Sequence, residues 1–154
     1  MTKSKWHQVK YRRFKNMKDL LQGWSESNEI EKSDTATILD DVLFEGVCTK
    51  EFWSGLRSVS TLGKPYSKCC KQHRYPRKLS LIELINWMTP DTTFEEWEQE
   101  ILKYLVHDLT TREENRRLIP FQKAGVFTTP GQTYIDAEIE LISDPKFKPQ
   151  YVGL

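Results

Sequence analysis

The sequence predicts an α+β fold. Helices, about five of them, fill the N-terminal two thirds, and an antiparallel β-hairpin follows at the C-terminal end. Three observations carry this. Apolar residues recur at helical spacing in several stretches up to residue 109. The period then drops to two, with Ile135, Ala137, Ile139 and Leu141 alternating with Asp136, Glu138 and Glu140. Just ahead of that alternation, Thr129-Pro130-Gly131-Gln132 has the residues of a type II turn, Pro preset at its second position and Gly free to take positive φ at its third.

In chain order, residues 6–13 alternate well enough for an edge strand or can open a basic helix. Phe14, Met17, Leu20, Leu21 and Trp24 then form a helical stripe. A second helix is expected over 33–45, capped by Ser33 or Asp34, buried through Ile38, Leu39, Val42 and Leu43, and stopped at Gly46. A short helix capped by Thr49 would bury Phe52, Trp53 and Leu56. Ser80 and Glu83 stand in capping-box spacing ahead of a helix that Pro90 ends, and Thr93 and Glu96 repeat the spacing. From there a broad apolar stripe of Phe94, Trp97, Ile101, Leu105 and Leu109 predicts a helix over 93–109, with acids in its first turns where the helix dipole favours them. A further short helix fits 111–118, and Phe147 to Val152 can add an edge strand to the hairpin. No repeat, low-complexity tract or linker divides the chain, so a single domain over 1–154 is expected, with 1–13 as a basic arm or edge strand and 64–78 as an exposed basic loop.

The net charge of +1 conceals blocks. Residues 1–18 carry +7, 19–45 carry −7, 64–78 carry +6 and 79–108 carry −6. Either the blocks cancel against one another or they leave one face for an anionic partner. Composition narrows the class further. Aromatics make up 12% of the chain, which argues against disorder. Scarce alanine beside five Trp would suit a viral or mobile-element accessory protein. The N-terminal stretch lacks the apolar core of a secretory signal, and no apolar run is long enough for a transmembrane helix. Three cysteines, an odd number, do not form a secreted disulfide framework, so a cytoplasmic or nuclear location is expected. Nothing in the sequence sets an oligomeric state.

Site candidates follow from these patterns. Lys10, Arg12 and Arg13 near Trp6 and Tyr11, and Lys68, Lys71, Arg74, Arg77 and Lys78 near Tyr75, combine phosphate-binding charge with rings for stacking. Trp87 and Met88 beside Pro90 would suit partner docking, whereas Trp24, Trp53 and Trp97 read as core; the helix stripe assigns Trp87 to the core as well. Cys48, Cys70 and His73 form a loose half-site that zinc could use, short of the four ligands a closed site needs. Asp136, Glu138 and Glu140 would share one strand face, as acids of a metal-dependent nuclease do, but without a nearby Lys or further acid aimed at one point an ordinary solvent face explains them better. Glycine-rich phosphate loops, G-x-S-x-G, H-E-x-x-H and deaminase motifs are absent from the sequence. The expected function is therefore a non-enzymatic interaction or regulatory protein with a protein partner and no cofactor. Nucleic-acid binding through 3–15 and 64–78 is the alternative, and a small metal-dependent enzyme is third.

Overall fold

The computed structural model describes residues 3–44, 50–123 and 130–148. Six helices and a four-stranded mixed sheet alternate along these residues. The chain divides into two compact units, Met1–Glu45 with Arg77–Lys103, and Gly46–Pro76 with Tyr104–Leu154. Both helix and strand are present as expected, but the arrangement corrects the sequence reading. Strands are interleaved with helices, and no hairpin follows a helical block among the described residues.

In the first unit, α1 (Lys3–Trp24) is helical throughout, in place of an N-terminal edge strand. Phe14, Met17 and Trp24 are buried at helical spacing along one stripe, and the stripe decides the matter, because a strand over 6–13 would leave it unextended. A second helix, α2 (Glu29–Phe44), begins four residues earlier than Ser33. Its cap is Asn28, whose Oδ1 accepts the Glu31 amide at 2.9 Å while Glu31 Oε2 accepts the Asn28 amide at 2.9 Å, a reciprocal capping box. Gly46, its expected stop, and Thr49 lie outside the described residues.

Helix α3 (Arg77–Trp87) starts before Ser80, so Ser80 is a buried interior residue and not a cap. Helix α4 (Phe94–Leu105) does use its expected box: the Thr93 amide donates to Glu96 Oε2 at 2.8 Å, and the Glu96 amide to Thr93 Oγ1 at 3.2 Å. Backbone donation from Thr93 holds the Glu96 carboxyl below the usual carboxylate range. α1 meets α4 through aromatic rings, Phe14 lying 5.6 Å from Phe94 and 5.7 Å from Trp97 between centroids. Lys10 and Glu98 pair alongside them.

The second unit holds the sheet. Its strands are β1 (Trp53–Ser58), β2 (Cys70–His73), β3 (His107–Thr110) and β4 (Leu141–Ser143), in the order β2-β3-β1-β4. β1 runs parallel to β3 and antiparallel to β4, and β2 runs antiparallel to β3. Residues 50–58 are thus a 3-10 turn and a central strand, not a helix. Phe52 and Trp53 are buried as the helix reading required, but Trp53, Gly55 and Arg57 bury on the period of two. Gly55 takes φ 85° where the β1–β3 register shifts, a conformation that needs glycine. Arg57 fastens β1 to its surroundings, donating to the carbonyls of Thr61 and Lys64 at 2.6 Å each and to Asp144 Oδ2 at 2.7 Å.

Strand β3 also corrects the reading that the 93–109 helix runs unbroken; it ends at Leu105. Helix α5 (Arg112–Lys123) follows, with Thr111 and Glu114 forming a third reciprocal box. Then α6 (Pro130–Asp136) occupies the predicted hairpin. Pro130 presets the same φ for the first residue of a helix as for a turn, which is why the turn reading failed. The alternation that followed is a helix end. The Ile139 amide donates to the Tyr134 carbonyl and the Glu138 amide to the Ile135 carbonyl, both at 2.9 Å, with Glu138 at φ 55°. This is a Schellman cap with glutamate in the position that glycine usually holds. It turns Ala137 and Ile139 into a cluster with Leu118 and Tyr134, and leaves Ile135 exposed. Phe147 is not in a strand; it stacks on Trp53 at 4.2 Å, on the face of the sheet that carries Cys69 and Leu109.

Replacing exposed Glu138 by glycine removes the left-handed strain and costs no contact in the structure. Glu138→Gly should stabilise the protein by about 1 kcal/mol, read as a higher urea midpoint with unchanged slope, and Glu138→Val should destabilise it. A lower midpoint for the glycine variant would refute the capped-helix account.

Candidate functional site

Each unit holds a place where polar groups meet a cavity. The one in the second unit grows from β3. A strand alternates its side chains, so His107 and Leu109 face one side while Asp108 and Thr110 face the other. Asp108 is 1% exposed. Its carboxylate accepts hydrogen bonds from the Ser54 hydroxyl on β1, from the Tyr134 hydroxyl on α6 at 2.9 Å, and from Arg74 just beyond β2, whose Nε lies 3.3 Å from each oxygen. Burial pushes the carboxyl up; the Arg74 charge and the hydrogen bonds from Ser54 and Tyr134 oppose it, but burial prevails. Burial and the Asp108 charge together push the Tyr134 phenol well above its usual value. A cavity of about 380 Å³ opens here, lined by Leu56, Arg74, Tyr75, Tyr134 and Leu141 as well as Asp108. Both carboxylate oxygens are already engaged by the protein, so the group ties elements together and has little left to offer a substrate proton.

On the opposite face, His107 is fully buried, and its Nε2 lies 2.7 Å from the Tyr66 hydroxyl. The ring of His73, its register partner across β2 and β3, sits edge-on at 5.9 Å. Burial lowers the His107 pKa to about 4; the Lys71 charge adds to this and the Leu105 carbonyl opposes it. The ring is therefore neutral at neutral pH.

The second place lies in the first unit, where the end of α1, the start of α2 and the end of α3 surround a cleft of about 850 Å³. Trp24, Ile85 and Met88 supply apolar floor, and Leu21 adds to one wall. The Trp24 indole N–H donates to Asn86 Oδ1 at 2.7 Å, which fixes the ring in the floor. Among the described residues, Lys18 and Lys32 are the charged members of the lining, and no described Asp or Glu contributes. Next to Met88 on α3, Trp87 is 41% exposed. The helix stripe assigned Trp87 to the core, but the α3 surface that carries it is not covered by the described residues.

The basic candidates have differing surroundings. Lys10 is engaged with Glu98. Lys71 donates to the Cys69 carbonyl at 2.9 Å and lies 4.8 Å from the centre of the Tyr66 ring. Arg74 is held by Asp108, and Tyr75 meets Tyr104 edge-on at 5.8 Å. Arg12, Lys68 and Lys78 are exposed, and Arg13 and Arg77 are half-buried. The stretch 64–78 contains a 3-10 turn, β2 and the first residues of α3. Cys70 and His73 are three apart on β2, so the strand period sends them to opposite faces and splits the loose metal half-site. Cys48 lies outside the described residues, and among those described no three His, Cys, Asp or Glu side chains gather to hold a metal ion. Asp136, Glu138 and Glu140 do not share a strand face, since α6 and its cap contain the first two of them. No described helix is long and apolar enough to cross a membrane. Compared with protein-family models, curated proteins and solved structures, the chain gives no match.

Sequence reasoning missed Asp108 because the apolar spacing of α4 runs on in the sequence through Val106 and Leu109. One signal was available: an aspartate in a last turn opposes the helix dipole, which argues for an end before Asp108. Lys18 and Lys32 were hidden within charge blocks of opposite sign, and only packing brings them to one cleft.

His107 makes stability depend on pH. Between pH 6.5 and about 4 the unfolded chain binds a proton that the folded ring refuses, so stability should fall on acidification through that window, by up to about 3 kcal/mol. Asp108, raised by burial, works in the opposite sense, so the comparison must be with His107→Asn across the same pH range. The variant should lose the part of the slope that the wild type shows between pH 6.5 and 4 in urea unfolding. Parallel curves would contradict a buried neutral His107.

Proposed function

We propose that this is a non-enzymatic interaction protein that holds a partner protein at the cleft of its first unit. The cleft itself carries the reading. It joins an apolar floor to a polar rim and lies next to an exposed tryptophan, and Trp and Met are residue types enriched at the centres of protein interfaces. Hydrogen bonds from Ser54, Arg74 and Tyr134 occupy the Asp108 carboxylate, which supports a structural role for that buried group. The nucleic-acid alternative has less behind it, since Lys10, Lys71 and Arg74 are committed to internal partners. Cys69 and Cys70, adjacent and free, fit a reducing compartment, cytoplasm or nucleus.

The test is co-purification of the tagged protein from host lysate, with nuclease treatment and a high-salt wash, beside Leu21→Glu and Trp87→Ala variants whose helix content and unfolding midpoint match the wild type. A defined partner should survive both treatments and should fall by about tenfold or more with Leu21→Glu, which places a charge in the cleft wall. Recovery of nucleic acid alone, stripped by salt, would overturn the reading.

A further inference from the structure

Resting on that docking reading, we propose that the occupant of the cleft is an acidic amphipathic α-helix of the partner protein, its apolar face on the Trp24–Met88 floor and its carboxylates on Lys18 and Lys32. The electrostatics of the lining point to acid. The two lysines are its charged members, and neither forms an ion pair among the described residues. Each ammonium group instead lies over an aromatic face, Lys18 Nζ 5.4 Å from the Phe14 centroid and Lys32 Nζ 5.5 Å from that of Trp24. A ring holds the cation beside apolar surface and leaves its charge unneutralised. Elsewhere in this unit, lysines find carboxylates: Lys10 pairs with Glu98 and Lys103 with Glu100. Residues 19–45 carry a charge of −7, yet among the described residues none of their acids lines the cleft. A segment bearing Lys or Arg would meet two uncompensated positive charges; one bearing Asp or Glu would neutralise them.

Shape points to a helix. The space is an open cleft between helix ends, large enough for the apolar anchors that one helix face presents at i, i+3 or i+4, and i+7. A fatty acid would offer the same union of apolar chain and carboxylate, but sites for such ligands enclose most of the ligand surface, and this cleft is open along one side.

The experiment uses the full chain and two fluorescein-labelled synthetic helices with the same leucine face, one flanked by glutamates and the other by lysines at the same positions, with oleate as competitor. Fluorescence anisotropy should show saturable binding of the acidic helix, about tenfold or more tighter than the basic one. In the Lys18→Glu/Lys32→Glu double variant, which changes only partly exposed side chains, the order of the two helices should reverse. That reversal is a gain of binding that damage to the fold cannot produce. Equal binding of the two helices, no measurable binding of the acidic helix, an order unchanged by the double variant, or displacement of the acidic helix by oleate would each overturn the proposal. If the charge order is absent while Leu21→Glu still releases the lysate partner, the acidic-helix proposal falls and the docking reading stands; if Leu21→Glu releases nothing, both fall.

Discussion

A carboxylate that is 1% exposed must be compensated or protonated, and the second unit is organised around that requirement at Asp108. The residue sits on β3, a central strand of the sheet. Its hydrogen bonds reach Ser54 on β1, Arg74 at the end of β2 and Tyr134 on α6, so one side chain joins three elements that are far apart in sequence. Apolar clusters alone would tolerate several packings of such short strands; a buried charge with a fixed set of donors tolerates few. Arg57 plays a parallel part on β1, where one guanidinium satisfies the carbonyls of the following turn and meets Asp144 beyond β4. The unit is held as much by geometry around these polar groups as by area buried, in keeping with strands of three to six residues.

The parts of the fold that could be read from sequence are those written in local chemistry. Thr93 with Glu96 marks the start of α4, and the stripe of Phe14, Met17 and Trp24 marks α1, because caps and helical periods depend on residues within a turn or two of one another. The strands could not be read this way. β3 is four residues of a chain whose apolar pattern continues from α4, and β1 becomes a strand only through its neighbours on either side. The misread hairpin has a different cause. Pro130 serves equally as a turn residue or a first helical residue, and Glu138 stands where a glycine would have announced a helix end.

Much the same division holds for the site. Met88 and Trp87 stood out as docking candidates from their types and their place beside Pro90, while the helix stripe gave Trp87 to the core; the structure puts Met88 in the cleft floor and leaves Trp87 exposed. The lysines that give the cleft its polarity were not legible. Lys18 closes a basic block and Lys32 is the lone base of an acidic one, and no count of charge along the chain distinguishes them from their neighbours. In the conspicuous basic block at 64–78, Lys71 and Arg74 satisfy a carbonyl and a carboxylate inside the second unit. Charge patterning describes a chain; only packing says which charges remain for a partner.

The claim at the centre of this account is that the Asp108 charge, and not merely the packing around it, sets the arrangement of the second unit. Urea unfolding of Arg74→Met, of Asp108→Asn and of the double variant, each measured at neutral and at mildly acidic pH, tests it most directly. Arg74→Met should cost about 2 kcal/mol or more at neutral pH by leaving the carboxylate without its cation. Part of that loss should return on acidification, because burial already raises the Asp108 pKa and the lone carboxyl can take up a proton. The double variant should be less destabilised than the sum of the two single ones. Additive losses with no pH dependence in Arg74→Met would show that packing alone holds the sheet, and would contradict the account.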